Sequence, residues 1–175
     1  MVPLQLTLAI LKPHVLKNPV ATEKIKYVIL QSEFKIVKLK TTTISLKKAQ
    51  EFYGEHKGKF FYKRLLSFMT SGPSEVMIMA KRDAISHWRQ LMGPTKVYKA
   101  QFEAPNSIRG MFGLSDTQNA AHGSDSPESA KREIGIFFPE FNYDKWFKED
   151  EMHFRNNDVH FVPSLFIHQI NNKTI

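Results

Sequence analysis

The sequence predicts a single mixed α/β domain, and three observations indicate this fold class. Apolar, strand-like runs at residues 4–11, 34–44 and 76–80 alternate with stretches in which apolar residues recur at helical spacing. A chain of 175 residues is long enough to bury a sizeable core but short for two domains. Hydrophobic residues make up 42% of the chain and charged residues 24%, which is ordinary for a globular protein.

The net charge and the absence of cysteine narrow the function classes. A net charge of +8 indicates anionic partners such as nucleotides, nucleic acid or an acidic surface, but a lysine-rich solvated surface explains it equally well because no dense basic run occurs. Without cysteine the chain has no disulfide framework, thiolate zinc site or catalytic thiol. No run approaches the ~20 apolar residues of a membrane-spanning helix, and the N-terminal run lacks the features of a signal peptide. We therefore expect no membrane partner and a cytoplasmic location, with a mitochondrial address left open.

The first half of the chain predicts two strands and three helical stretches. The run at 4–11 is apolar throughout and ends before Pro13, so Lys12 lies at the end of a strand buried on both faces, a common position for ligand contacts. The elements that follow are a helix over 20–31, a strand over 34–44, a helix that Ser45 caps and that runs through Tyr53, and a helical stretch over 60–69. Aromatic residues at helical spacing, such as Tyr53 and Phe60, usually belong to the core.

The segment from residue 76 to residue 112 supplies candidate phosphate ligands. A strand over 76–80 precedes a helix that Asp83 is expected to cap. Residues 96–112 contain proline, asparagine and glycine, which are typical of a loop. Arg89 and Thr95 combine a forked cation with a hydroxyl donor, the groups that a phosphate site needs. Taken alone, Arg89 and Thr95 are better explained as ordinary charged and polar residues of the protein surface.

The stretch around His122 carries the strongest chemical signal. An apolar run reaches His122 and breaks at Gly123, after which Ser126 and Pro127 are typical of the first residues of a helix. His122 therefore precedes a helix N-terminus, where anions are favoured. Histidine can act there as a nucleophile at neutral pH without a large pKa shift, although an isolated histidine before a turn is more often structural.

A resemblance in the wider stretch favours the nucleophilic role of His122 over the structural one. Asn119-x-x-His122-Gly-Ser-Asp-Ser126, with Glu133 eleven residues after the histidine, resembles the active-site signature of nucleoside diphosphate kinases. Segments similar to that family cover roughly residues 4–147. The resemblance implies a ferredoxin-like βαββαβ sandwich with a four-stranded antiparallel sheet of the nucleoside diphosphate kinase type. It also implies a kinase-like domain at 1–147 and a C-terminal extension at 148–175, which either packs on the domain or serves as an interaction arm.

The same resemblance implies the roles of ten residues. His122 would accept the phosphoryl group as a transient phosphohistidine, and Glu133 and Ser124 would hold its imidazole. The nucleotide-binding residues implied are Lys12, Tyr53, Phe60, Arg89, Thr95, Arg109 and Asn119. Phe60 matches the position that stacks on the base, which suits an enzyme that must accept any base. Mg²⁺ would arrive on the nucleotide phosphates, without a dedicated protein site.

Three features resemble the family's divergent group II, in particular the type-6 branch: the short spacing from Tyr53 to Phe60, the long stretch from Thr95 to Arg109, and Pro94 in Gly-Pro-Thr. Other positions also depart from the family pattern. His14-Val15 replaces the usual Asp-Gly, so we expect altered loop geometry there. The spacing from Tyr53 to Phe60 is one residue short, and the stretch from Thr95 to Arg109 is about three residues long, which argues against the family's standard hexamer. Asp116 replaces an apolar residue that flanks the base.

Three functions follow, in order of preference. The first is a nucleoside diphosphate kinase that transfers the terminal phosphate of a nucleoside triphosphate to a diphosphate by a ping-pong mechanism through His122. The second is a low-activity or inactive family member that acts as a partner-dependent interaction or scaffold protein. The expected partners are nucleoside di- and triphosphates, together with either further copies of the chain in a homo-oligomer or a protein partner. Nucleic-acid binding ranks lowest because the basic residues form no stripe with aromatic ones.

Overall fold

Strands alternate with helices in the computed structural model, which describes residues 2–171. The strands are β1 (Gln5–Leu11), β2 (Lys35–Thr42), β3 (Ser74–Lys81), β4 (Ala121–Gly123), β5 (Val159–Val162) and β6 (Ile167–Ile170). The helices are α1 (Pro13–Leu16), α2 (Pro19–Gln31), α3 (Leu46–Phe52), α4 (Tyr62–Met69), α5 (Ala84–Met92), α6 (Val97–Glu103), α7 (Ile108–Phe112), α8 (Pro127–Phe137), α9 (Tyr143–Glu149) and α10 (Glu151–Arg155), with a 3₁₀ turn at Gly54–His56. None of the helices in this part of the chain is long and apolar enough to cross a membrane.

Four of the strands form one antiparallel sheet in the order β2-β3-β1-β4, and β5 and β6 form a separate hairpin. Strand β1 lies in the middle of the sheet, between β3 and β4. With α2 between the first two strands and α5 between the last two, the chain follows the ferredoxin-like βαββαβ order. The predicted fold class is confirmed. Because β1 and β4 are neighbours, the end of β1 lies beside His122.

The sheet has an apolar core on each face, because successive residues of a strand point to opposite sides. In β1, Leu6, Leu8 and Ile10 pack against α3, α4 and α8 on one face. Ala9 and Leu11 pack against α2 and α5 on the other face. All five side chains are fully buried. The prediction of a strand buried on both faces is therefore confirmed.

Short polar residues begin several of the helices. Ser45 and Ser126, both predicted as caps, accept backbone N–H bonds from Lys48 and Ser129, at 3.2 and 3.1 Å. Substituting such a cap by alanine typically costs about 1 kcal/mol. The cap at Ser126 fixes the start of α8, which carries Glu133 towards the end of β1.

Two local predictions were wrong. Residues 96–112, expected to form a loop, contain the helices α6 and α7. Their turn is tight, since a Cβ on Gly110 would lie 2.3 Å from the carbonyl oxygen of Ala104. Asp83 occupies the cap position of α5 but adopts a left-handed conformation (φ 52°), and its side chain makes no cap hydrogen bond. Gln5, on β1, supplies that bond instead, accepting from the backbone N–H of Ile85 at 2.8 Å.

The C-terminal elements lie against the sheet. In the hairpin, Nδ1 of His168 accepts the backbone N–H of Ile36 on the edge strand β2, at 2.9 Å. Glu151, buried on α10, accepts the backbone N–H of Leu4 at 2.7 Å. Helix α9 spans the predicted domain boundary at residue 147. Residues 172–175 of the predicted extension, like residue 1, lie outside the described residues.

Candidate active site

The backbone of His122 is held on two sides. It pairs with Ile10 across the β1–β4 ladder, and its carbonyl oxygen accepts the indole N–H of the buried Trp88 at 3.0 Å. Two residues earlier, Ala120 takes a positive φ of 75°, which turns the chain into this short strand. The imidazole itself remains 22% exposed at the side chain. The fold therefore fixes the histidine while leaving its ring accessible.

A chain of hydrogen bonds orients that ring. Oε2 of Glu133 lies 3.0 Å from Nε2 of His122, and Oε1 of the same carboxylate accepts the hydroxyl of Ser124 at 2.6 Å. The Ser124 oxygen in turn accepts the backbone N–H of Leu8 at 3.1 Å. Because an ionised carboxylate can only accept hydrogen bonds, we assign the imidazole proton to Nε2. The lone pair of Nδ1 is then available as a nucleophile.

Two buried cations lie beside the histidine. Lys12, at the end of β1, is 4% exposed, and burial followed by the charge of Arg109 lowers its pKa from 10.5 to about 7. Arg109, on α7, donates to the carbonyl oxygens of Gly93 and Ala121 at 2.9 and 3.0 Å. Burial followed by the charge of Arg89 lowers the pKa of Arg109 to about 10. Positive charge concentrated at a buried position favours an anionic ligand.

One cavity, with a volume of about 520 Å³, brings most of the predicted residues together. Nine of the ten line it, and the tenth, Ser124, is fully buried behind Glu133. Those nine are Lys12, Tyr53, Phe60, Arg89, Thr95, Arg109, Asn119, His122 and Glu133. The amide oxygen of Asn119 and Nε of Arg109 are both buried there without a hydrogen-bond partner. Such orphan polar groups are typical of a site that completes its bonding with a ligand.

Aromatic residues form one wall of the cavity. Tyr53 is 7% exposed, and burial followed by the charge of Glu133 raises the pKa of its hydroxyl. Phe60, in contrast, is 92% exposed although it lines the same cavity. A large apolar ring held at the opening offers a stacking surface for a planar ligand.

The structure adds two residues that sequence reasoning did not single out. The ring of Phe52 lies edge-on to that of His122, with centroids 4.8 Å apart. His56 stacks on Tyr53 at 6.0 Å and also lines the cavity. Burial, then the charge of Lys59, lowers the pKa of His56. The only sequence signal for either residue was its closeness along the chain to Tyr53.

His14 occupies the position where the family pattern has aspartate. It lies in the short helix α1, with Nε2 3.2 Å from the carbonyl oxygen of Phe112 and its ring 5.5 Å from that of Phe68. Burial lowers the pKa of this histidine. His14 thus joins α1 to α7 and α4, next to Lys12.

The family model for nucleoside diphosphate kinase matches residues 5–143, most of the chain. The chain belongs to the nucleoside diphosphate kinase family. Nucleoside diphosphate kinase 6 of Mus musculus is 48% identical over 165 residues, which cover 94% of this chain and 87% of that protein. The protein of the same name from Homo sapiens is 47% identical, covering 95% of this chain and 90% of that one. The resemblance to the type-6 branch is confirmed.

Solved structures of nucleoside diphosphate kinases have the same fold as this chain. The Aquifex aeolicus nucleoside diphosphate kinase superposes with a TM-score of 0.74 at 41% identity, covering 77% of this chain and 95% of that one. A Halobacterium salinarum enzyme in complex with CDP gives a TM-score of 0.71 at 34% identity, covering 77% of this chain and 87% of that one.

Proposed function

We propose that this family member is an active nucleoside diphosphate kinase in which His122 carries the phosphoryl group between two nucleotides. The observation that carries the proposal is the chain from Ser124 through Glu133 to Nε2 of His122, which leaves Nδ1 to react. In the first half-reaction the Nδ1 lone pair forms a bond to the terminal phosphorus, and the bond from phosphorus to the bridging oxygen breaks, releasing a diphosphate. A second diphosphate then attacks the phosphohistidine and regenerates the free imidazole.

The residues around the cavity support one placement of the nucleotide. Arg89, Thr95 and Arg109 would bind the phosphates, where cations stabilise the charge of a transferring group. Lys12 and Asn119 would contact the ribose 3′-hydroxyl and the transferring oxygens. Tyr53 would lie against the histidine, and Phe60 would stack on the base.

Magnesium fits this site as a companion of the nucleotide. Within residues 2–171 no group of three or more histidine, aspartate or glutamate residues could hold a metal ion. Mg²⁺ is commonly held by substrate phosphates, waters and one or two carboxylates. Asp125 lines the cavity and would contact the hydrated ion. When bound, the ion would neutralise charge on the phosphates.

A labelling experiment tests the proposal. Purified protein is incubated with γ-labelled ATP and Mg²⁺, beside the His122→Ala variant, and then chased with GDP. We expect an acid-labile label on the wild type only, released as GTP within seconds. His122→Ala also controls for contaminating kinase. If the wild type binds nucleotide but takes up no label, the isolated chain is not a kinase.

The scaffold alternative has one structural feature in its favour. Tyr98 and Phe102 lie one turn apart on α6 and are 76% and 87% exposed, and Leu114 nearby in the chain is 67% exposed. A protein partner or a second copy of the chain would cover such a surface. A label that forms only when a partner is added would favour this second function.

A cytoplasmic or mitochondrial location stays a prediction.

The lowered pKa of Lys12 predicts that the affinity for ATP depends on pH. Its pKa of about 7 means that the ammonium is lost as the pH rises above that value. Between about pH 7.5 and pH 9, where ATP is fully ionised, we expect the affinity for ATP to fall by up to about tenfold per pH unit, because binding must then take up a proton. Calorimetric titration of the wild type and of Lys12→Met measures this slope, which the variant should lack.

The exposed Lys96 lines the same cavity and provides the matched control. Lys96→Met should weaken ATP binding modestly and keep the pH slope of the wild type. Equal slopes in the wild type and Lys12→Met would contradict the prediction.

A further inference from the structure

Helix α7, which carries Arg109, is too short to hold its own position. It spans five residues, Ile108–Phe112, and helices shorter than about 12–15 residues are marginal on their own in water. At its start, the hydroxyl oxygen of Ser107 accepts the backbone N–H of Gly110 at 3.1 Å. At its end, the last carbonyl groups of an α-helix have no partner inside the helix. The position of α7 therefore depends on contacts with other elements.

His14 provides such a contact at the end of α7. Burial lowers the pKa of His14, so its ring is neutral at neutral pH and carries one proton. Nε2 lies 3.2 Å from the carbonyl oxygen of Phe112, and because that oxygen can only accept, we assign the proton to Nε2. Nδ1 is buried without a hydrogen-bond partner among the residues that the structure describes. The bond to Phe112 is thus the polar contact that holds the ring.

The two segments that this bond joins each carry a buried cation. Lys12 lies two residues before His14, and Arg109 lies three residues before Phe112. The two cations repel each other, and the charge of Arg109 is the second cause, after burial, of the lowered pKa of Lys12. The carbonyl oxygens of Gly93 and Ala121 hold the guanidinium of Arg109, whereas the bond from His14 holds the backbone of α7.

We infer that His14 is a positioning residue, which holds α7 against α1 and so keeps Arg109 beside Lys12 for binding nucleotide phosphates. The inference rests on the proposed function, which places the phosphates at Arg109. His14 acts through the helix, because the cavity is lined by other residues. The aspartate of the family pattern cannot make this bond when ionised, since a carboxylate does not donate to a carbonyl oxygen. The contact therefore belongs to this chain's departure from that pattern.

Two substitutions at His14 test the bond to Phe112. The amide nitrogen of glutamine can take the place of Nε2, whereas that of asparagine takes the place of Nδ1 and does not reach Phe112. In calorimetric titration with Mg²⁺ and a non-hydrolysable ATP analogue, we expect His14→Asn to bind about three- to tenfold more weakly, the value of one hydrogen bond between neutral groups. His14→Gln should bind the analogue nearly as tightly as the wild type does.

A double-mutant cycle separates positioning from a general loss of structure. In an Arg109→Gln background, His14→Asn should cause little further loss of affinity, because the side chain through which it acts is already gone. The matched control is His87→Asn on α5, where Nδ1 is likewise buried without a partner; this variant should keep the wild-type affinity. Should His14→Asn fail to fold, His14→Met, which fills much of the space of the ring but has no donor, replaces it in the cycle.

Losses of equal size in the wild-type and Arg109→Gln backgrounds would overturn the inference, as would a His14→Gln variant that binds no better than His14→Asn. Since binding is measured without phosphoryl transfer, the two proposals can fail separately. Labelling of His122 in a protein whose losses are additive removes only the role of His14. Losses that depend on Arg109, in a protein that takes up no label, remove only the kinase proposal.

Discussion

Replacing Glu133 with glutamine is expected to slow phosphorylation of His122 by a factor between about 10² and 10⁴. In the proposed mechanism the carboxylate of Glu133 accepts a hydrogen bond from the N–H at Nε2 and so keeps Nδ1 free to attack. A glutamine amide of the same shape can donate its N–H to Nε2, which moves the imidazole proton to Nδ1 and blocks the nucleophile. Rapid-quench labelling with γ-labelled ATP measures the rate of this single step.

The matched control for this variant is Ser124→Ala. Ser124 donates to the other oxygen of Glu133, at 2.6 Å, so its loss should loosen the carboxylate without reversing the tautomer. We expect a loss of about tenfold in labelling, at the lower end of the effect that hydrogen-bond partners of metal ligands have when they are removed. Both variants should bind ATP nearly as tightly as the wild type. A Glu133→Gln variant that labels at the wild-type rate would show that His122 does not depend on this proton.

Local chemistry allowed single strands and helices to be predicted from the sequence wherever neighbouring residues decide the structure, while the arrangement of the sheet was implied by the family resemblance. The apolar run that ends at Lys12 forms a buried strand because six of its seven residues, Leu6 to Leu11, lie between two apolar layers. Ser126 followed by Pro127 begins a helix because the serine accepts an orphan N–H and proline needs none. In both places the signal and the structure that it specifies lie within a few residues.

A long-range contact explains one of the two local predictions that were wrong, and the geometry of a turn explains the other. The cap of α5 comes from Gln5, about eighty residues from Ile85, so no local pattern at Asp83 could reveal it. Pro105 and Gly110 correctly indicated a turn, but that turn separates the two short helices α6 and α7. Only glycine fits that turn, because a Cβ on Gly110 would lie 2.3 Å from the carbonyl oxygen of Ala104.

The sequence allowed the residues that line the cavity to be predicted, but not the burial and charge interactions that shift their pKa values. Matching residues to the family pattern gave the set that lines the cavity, but it could not show that Lys12 is buried beside Arg109 with a pKa near 7. That shift depends on desolvation by elements far apart in the sequence. Nor could a pattern show that the backbone N–H of Val97 donates to Asp116.

Gly123→Ala is expected to destabilise the protein by about 3 kcal/mol, because it overpacks a rigid part of the core. A Cβ on Gly123 would lie 2.5 Å from Cδ1 of Trp88 and 2.7 Å from Cε of Met92. Trp88 is fully buried and packs edge-on against Phe34, so its indole cannot move aside easily. For a chain of this length, the melting temperature should fall by roughly 6 to 12 °C in calorimetric unfolding.

The same clash should reach the reacting histidine, because the indole N–H of Trp88 holds the carbonyl oxygen of His122. We therefore expect Gly123→Ala to slow labelling as well as to lower stability. Gly135→Ala is the matched control, since a Cβ there meets no atom within 4 Å on the exposed face of α8. It should stabilise the helix by about 0.5–1 kcal/mol and leave labelling unchanged. If Trp88→Ala, which removes the ring that blocks the Cβ, does not lessen the loss caused by Gly123→Ala in a double-mutant cycle, the destabilisation has another cause than this contact.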